Sequence, residues 1–448
     1  MCYVKLFLPL RSKIRSQVRT KLTYTLEEPL KFKQQLLQWS RQFEEIAWLD
    51  SNNYHQEHGE FDALLALGVF TAIKTDYHQA FAKLQEYQQT TKDWIFGYLS
   101  YDLKNDVEAL SSKNQDGLNF PDLYFFQPQK LFLLKGDLLE MHYLKMLDDE
   151  IEDDFTEISN LPLTDNPQLT THNPQPIRAR ISKEDYLKKV EKMLAYIQRG
   201  DIYEANFCQE FFAENREIEP FEVFQKLNEI SGPPFATFLK LEEHYLLSAS
   251  PERYLKKSGS KLISQPIKGT ARRSPNAEED LEIAQQLSKD PKEQSENVMI
   301  VDLVRNDLSK IAKKGSVNVD ELCKVYSFKQ VHQMISTVSA EIDDGIPPVE
   351  ALRATFPMGS MTGAPKISAM KIIEELEETK RGLYSGAVGY FTPNGDFDFN
   401  VVIRSILYNS EKKYVSFSVG GAITAGSDPE KEYEECLLKA SAMRKALS

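Results

Sequence analysis

Residues 148–178 interrupt every regular pattern in this 448-residue chain. Asp148, Asp149, Glu150, Glu152, Asp153 and Asp154 crowd together, and Pro162, Pro167, Pro174 and Pro176 follow in a polar stretch. Like charges repel and proline breaks both helices and sheet ladders, so this stretch is expected to run over the surface as a connection. It divides the chain into an N-terminal region, 1–150, a connection, 151–179, and a larger C-terminal region, 180–448.

Before the connection, short apolar segments such as 94–99 mix with helical stretches such as 32–43. After it, Ser182-Lys183-Glu184-Asp185 reads as a capping box that opens a helix over 182–199. Tyr186, Val190, Met193, Leu194 and Ile197 recur at helical spacing and mark its core face. Strands are expected at 236–239, 245–249, 386–391, 397–407 and 414–419, and helices at 277–288, 293–304 and about 429–446. The chain has no GxGxxG after a strand, no P-loop and no internal repeat, which leaves the nucleotide-binding folds unsupported.

Apolar residues make up 41% of the sequence, enough for a sizeable core. A net charge of −13, with no dense Lys/Arg patch, argues against a nucleic-acid surface and for a small-molecule or protein partner. Cys2, Cys208, Cys323 and Cys436 are far apart and show no Cys-x-x-Cys spacing, so they are expected as reduced thiols. No apolar run approaches a membrane span, and residues 6–10 are too short for a signal segment. The expected location is cytoplasmic. Lys5, Arg11, Lys13, Arg15, Arg19 and Lys21 stand among the first 26 residues without a single acid, a bias shared by transit peptides and by ordinary basic first strands.

Two local patterns carry chemistry. Pro266-Ile267-Lys268-Gly269-Thr270 sets an amine beside a glycine whose backbone can approach an anion closely, an arrangement suited to covalent chemistry on an acidic substrate. Glu293 with Glu296, and Glu432 with Glu435, are each three residues apart on expected helices, so each pair shares a helical face. If the two faces met across a cleft, the gathered carboxylates would need a cation, and Mg2+ suits hard oxygen ligands and retained water.

These patterns lie among further motifs: Ala249-Ser250-Pro251-Glu252, Met299 to Asp307, Pro357 to Lys366, Phe399 to Arg404, and Asp428-Pro429-x-x-Glu432-Tyr433-x-Glu435. Together they resemble the chorismate-utilising enzymes, which include anthranilate synthase component I, aminodeoxychorismate synthase component I, and the isochorismate and salicylate synthases. The resemblance covers about residues 180–448 with specific motifs and the N-terminal part more loosely. It implies an α+β fold of the anthranilate synthase component I type, with two large, mostly antiparallel sheets packed face to face and flanked by helices.

The same resemblance implies roles for matching positions. Glu296 and Glu435 would be direct Mg2+ ligands, with Glu293 and Glu432 acting mostly through water. Chorismate, a dianion, would bind to Arg404, whose guanidinium offers a bidentate fork, and to Tyr384 and Lys439. A Gly420-Gly421-Ala422 turn, with alanine in the usual third glycine position, and Gly269-Thr270 would direct backbone N–H groups at the anion. Glu252 would be the general acid that protonates the departing C4 hydroxyl, with a pKa raised by burial or neighbouring charge. Lysine at position 268 is the residue of aminodeoxychorismate synthases, where anthranilate synthases usually carry alanine. It implies attack of the amine at C2, then ammonia at C4, giving 4-amino-4-deoxychorismate, a precursor of 4-aminobenzoate and folate. Burial should lower the pKa of Lys268 and the carboxylates should raise it.

Two positions depart from the family pattern. Glu204 stands where ammonia-using members commonly carry glutamine and water-activating members lysine, and Gln333 stands where many relatives have histidine. His332 reads as a packed neighbour. No Cys/His/Glu region is left for an amidotransferase, so ammonia is expected from a separate glutamine amidotransferase subunit. Residues 231–236 are expected to help form a tryptophan pocket of the kind some members have. Anthranilate synthase component I, an isochorismate or salicylate synthase, and an idle regulatory subunit that binds chorismate or tryptophan remain alternatives.

Overall fold

Along the strand Ala63–Thr75, Leu64 and Ala66 belong to one hydrophobic core while Ala63, Leu65 and Leu67 belong to another. Successive side chains of a strand point to opposite faces, so this strand is covered on both sides and its apolar run needs no alternation. The structure, a computed structural model, describes residues 18–54, 57–163, 175–329 and 331–448. Cys2, Lys5, Arg11, Lys13, Arg15, the apolar segment 6–10, Pro167 and Pro174 lie outside the described residues.

Twenty described strands form one hydrogen-bonded network, and every pairing between them is antiparallel. Ala63–Thr75 and Leu123–Lys135 pair along their length, with a bulge between Val69 and Thr71. The second of them takes Ile95–Leu99 on its first half and Leu138–Leu144 on its last half, so the network divides there into two sheets. One sheet continues through Ile46–Asp50, Phe235–Leu241, His244–Ser250, Ser405–Asn409 and Tyr414–Thr424 to Glu204–Ala213. The other continues through Ala387–Phe391, Phe397–Val401, Arg253–Ser258 and Lys261–Gln265 to Val331–Glu341. Alternate residues of the first sheet join the core that holds the second, and the remaining ones pack under helices such as Lys183–Arg199 and Pro429–Ala446. The expected sandwich with flanking helices is present.

Strands before residue 150 complete the sheets built by residues after 180: Ile46–Asp50 pairs with Phe235–Leu241, and Ile95–Leu99 with Ala387–Phe391. The acidic run is helical throughout, in a short 3-10 helix, Lys145–Glu150, followed by an α-helix, Ile151–Asn160. Ile151 and Ile158 are buried, and Asp154 accepts hydrogen bonds of 2.6 Å from both Lys130 Nζ and Tyr143 Oη. Glu152, Asp153 and Asp154 occupy its first turn, where the helix dipole favours negative charge. Of the basic N-terminal residues, Arg19 is buried in the strand Arg19–Thr25 and paired with Asp93 at 2.9 Å.

Ser182 caps the helix Lys183–Arg199 by accepting the backbone N–H of Asp185 at 3.1 Å. Cys208, Cys323 and Cys436 are free thiols. No helix among the described residues is long and apolar enough to cross a membrane. The single strand expected at 397–407 is two strands, Phe397–Val401 and Ser405–Asn409, because Arg404 adopts a left-handed backbone with φ of +52°. Pairing with one sheet ends before Arg404, and pairing with the other begins after it.

Candidate active site

A second crossover between the sheets runs beside this one. His244–Ser250 belongs to the first sheet and Arg253–Ser258 to the second, with Pro251 and Glu252 between them. The two crossovers are joined by backbone hydrogen bonds, Val401 N–H to Glu252 O at 3.0 Å and Ala249 N–H to Arg404 O at 3.2 Å. Glu252 and Arg404 therefore come together where the sheets part. Glu252 is buried, and its Oε1 accepts a 2.6 Å hydrogen bond from Ser360 Oγ. Burial pushes its carboxyl up to about 7, against the lowering effect of Ser360, Lys268 and Arg404. Burial lowers the pKa of Arg404, which has no ion-pair partner among the described residues, so its fork is available to an anion.

Lys268 occupies a bulge. Strand Ile267–Arg272 pairs with Val331–Glu341, but the register shifts between Ile267 and Thr270, and Gly269 has φ of +91°. A side chain at Gly269 would also meet Glu293 Oε2 and Met334 Cβ at 3.1 Å, so glycine is required on both counts. Asn297 secures the bulge from the helix Pro291–Ser309, donating to Lys268 O at 3.4 Å and Met334 O at 3.2 Å. The Lys268 amine lies 3.2 Å from Glu204 Oε1 in a mostly enclosed position. Burial works to lower its pKa, but Glu204, Glu296 and Glu252 outweigh burial and leave it raised. Glu204 is itself buried, and its other oxygen, Oε2, has no hydrogen-bond partner among the described residues.

The glutamate pairs sit near the starts of two helices, Pro291–Ser309 and Pro429–Ala446. Each helix has an Asp cap followed by proline: Asp290 accepts the N–H groups of Lys292 and Glu293, and Asp428 that of Lys431. Burial works to lower the pKa of Lys292, but Glu296, Glu432, Glu293 and Glu435 together leave it raised, so the two glutamate pairs lie within electrostatic reach of one lysine. Burial pushes Glu296 up to about 7 and also raises Glu293 and Glu432. Burial acts to raise Glu435 too, but Lys439 Nζ at 2.7 Å brings it below its ordinary value. Lys292 lies 3.8 Å from Glu296. Among the described residues no three such groups are close enough to enclose a metal by themselves. The set nevertheless consists of hard oxygens whose like charges favour a cation, and Mg2+ ordinarily keeps several waters as ligands. Gly421 leaves room here, since a Cβ on it would lie 3.1 Å from Glu432 Oε2 and 3.9 Å from Glu435 Oε1.

Gly420-Gly421-Ala422 is not a turn. It lies within the strand Tyr414–Thr424, paired with Cys208, Phe207 and Asn206, because glycine lets this strand pass close to its neighbour. Lys439 Nζ donates to Gly420 O at 3.0 Å. Tyr384 is buried with its hydroxyl 3.5 Å from Cys208 Sγ. Thr270 pairs with Gln333, which is buried with Oε1 lacking a partner among the described residues. His332 is buried between Ser327 Oγ at 2.8 Å and Asp280 Oδ1 at 3.0 Å. Pro234, Phe235 and Ala236 line a separate cavity with Asp50, Phe61 and Asp398. Sequence reading gave no role to Ser360, Asn297 or Lys292, although all three lie within or beside the quoted motifs; their partners are fixed by packing, not by spacing.

Comparison with known proteins places this arrangement. The description "chorismate binding enzyme" matches residues 42–445. The chain is 33% identical over 394 residues to aminodeoxychorismate synthase component 1 of Bacillus subtilis, covering 84% of this chain and 80% of that protein. It is 34% identical over 382 residues to anthranilate synthase component 1 of Thermus thermophilus, covering 84% of this chain and 82% of that protein. Among solved structures, anthranilate synthase component I from Streptococcus pneumoniae superposes with a TM-score of 0.75 at 25% identity, over 87% of this chain and 93% of that one. With the matched region spanning nearly all of the described fold and its site, the chain belongs to the family of chorismate-binding enzymes.

Proposed function

We propose that this chain is the synthase subunit of an aminodeoxychorismate synthase, which converts chorismate and ammonia to 4-amino-4-deoxychorismate. The observation that carries this reading is the Lys268 amine, held by a bulge beside buried Glu204 and within the electrostatic reach of both Glu252 and Glu296. Arg404 binds one substrate carboxylate through its free fork. Glu296 and Glu435, with Glu293 and Glu432 behind water, are suited to hold Mg2+. When bound, Mg2+ supplies positive charge for the other substrate carboxylate.

Glu252, protonated in part near neutral pH, gives its proton to the C4 hydroxyl as that group leaves as water. Lys268, charged in the resting site, first passes a proton to Glu204 over their 3.2 Å contact; the neutral amine then attacks C2, the ring double bonds shift, and a covalent adduct forms. Ammonia then attacks C4, the double bonds shift back, and the C2–N bond to Lys268 breaks. A glutamine amidotransferase subunit would supply the ammonia, and 4-aminobenzoate and folate synthesis would use the product. The cavity beside Phe61 and Phe235 combines aromatic walls with Asp50 and Asp398, chemistry suited to the indole and ammonium groups of tryptophan.

The test is to incubate the protein with chorismate, Mg2+ and ammonium at mildly alkaline pH, identify the product by mass and ultraviolet spectrum, and run Lys268→Ala alongside. Aminodeoxychorismate from the wild type and its loss in the variant support the proposal. Anthranilate and pyruvate from the wild type would establish the anthranilate synthase reading instead.

A further inference from the structure

One side-chain amide spans the bulge that displays Lys268. Where the register shifts between Ile267 and Thr270, Asn297 Nδ2 donates to Lys268 O at 3.4 Å and, in the facing strand, to Met334 O at 3.2 Å. Carbonyls only accept, so the amide nitrogen must face them and Oδ1 must point away. There Oδ1 accepts from Ser336 Oγ. That hydroxyl is oriented in turn, because its oxygen accepts the backbone N–H of Cys323 at 2.9 Å, at a register shift in the strand Asn318–Ser327 where Cys323 has φ of +53°. The backbone N–H of Ser336 donates to Pro266 O at 3.2 Å, just ahead of the bulge. Asn297 and Ser336 are both buried, and the direction of each link fixes the next, so the amide is held in one orientation.

Asn297 directly follows Glu296 and lies one turn beyond Glu293 on the helix Pro291–Ser309. Glu293 packs against the same bulge, since a Cβ on Gly269 would lie 3.1 Å from its Oε2. The helix that carries one glutamate pair and the bulge that carries Lys268 are thus one packed unit. We propose that Asn297 is the positioning residue for Lys268, setting the direction in which its amine leaves the backbone. This inference rests on the covalent reading given above. A lysine has a flexible four-carbon stem, so a small rotation at its root is magnified at the amine. Holding the carbonyl of Lys268 limits that rotation at the one place where the sheet ladder is broken. Attack at C2 needs near-attack geometry, in which a displacement of about 1 Å costs about a hundredfold in rate. Chorismate affinity depends instead on Arg404, Tyr384 and Lys439, none of which Asn297 holds. Asn297 therefore governs the bond-forming step and leaves substrate binding alone.

The experiment mixes the wild type, Asn297→Ala and Ser336→Ala with chorismate and Mg2+ in the absence of ammonium, quenches at short times, and follows by intact-protein mass the rate at which Lys268 gains chorismate less one water. Steady-state assays with ammonium give kcat and the KM for chorismate. Asn297→Ala should slow adduct formation by about tenfold or more while the KM stays within about twofold of wild type. Ser336→Ala keeps the amide but frees it to turn, and should slow the same step by a smaller factor. Thermal melts identify folded variants, and Ser336→Ala carries the test if Asn297→Ala does not fold. A KM that rises as much as the rate falls marks a merely structural role and overturns the inference. Absence of an adduct in the wild type refutes the covalent reading, and the inference falls with it, whereas an adduct formed at the wild-type rate by the folded variants refutes the Asn297 assignment alone.

Discussion

Ser360 Oγ donates a 2.6 Å hydrogen bond to Glu252 Oε1, joining two buried residues 108 positions apart. The donor favours the charged carboxylate, so it holds the pKa of Glu252 below what burial alone would impose. In Ser360→Ala the Glu252 pKa rises above about 7, and the acid keeps its proton to higher pH. The alkaline limb of the kcat/KM profile for chorismate moves upward in pH. An unmoved limb would show that another group controls it.

Stability of the metal-free protein should fall as pH rises. Glu296 is held at about 7 when folded against an ordinary 4.5, so between these values the folded state binds the proton and the unfolded state does not. Its contribution is fully present below 4.5 and is lost as pH rises through about 7. The slope is about 1.4 kcal/mol per pH unit for each such proton. Thermal melts should show higher Tm at acidic than at alkaline pH, a gain on adding Mg2+ at alkaline pH, and a weakening of both effects in Glu296→Gln. Equal melts with and without Mg2+ would remove the cation from this site.

Adjacent glycines should give different defects. Alanine at Gly420 would set a Cβ 2.2 Å from the backbone oxygen of Phe207, so Gly420→Ala should disrupt strand pairing and the yield of soluble protein. Alanine at Gly421 meets Glu432 Oε2 at 3.1 Å, a side-chain tip that can yield. Gly421→Ala should fold, with a higher Mg2+ concentration needed for half-maximal activity. Circular dichroism and Mg2+ titration separate the two.

Arg404→Lys keeps the charge but removes the planar fork. The KM for chorismate should rise by about tenfold, equivalent to about 1.4 kcal/mol, with a smaller change in kcat. An unchanged KM would mean that the free guanidinium does not face the substrate.

Much of the fold was readable before the structure. The Ser182 cap, the helix Pro429–Ala446 and the strands around 245–249 follow from side-chain period and capping chemistry, which act between residues a few positions apart. The glutamate spacings likewise placed each pair on one helical face. Their mutual proximity, the bulge that aims Lys268, and its contact with Glu204, 64 positions away, depended on how distant strands and helices pack.

The failures have the same origin. An apolar run at 397–407 looks continuous from within, yet the chain changes sheets at Arg404 because two separate partner strands compete for its two halves. Gly420-Gly421-Ala422 looks like a turn, yet ten ladder pairs with Glu204–Ala213 hold it extended. Sequence alone determined the elements and the chemical types available to the site, because local geometry follows from neighbouring residues. Tertiary structure decided which groups face one another and with what charge, because burial and proximity arise only when distant strands and helices pack.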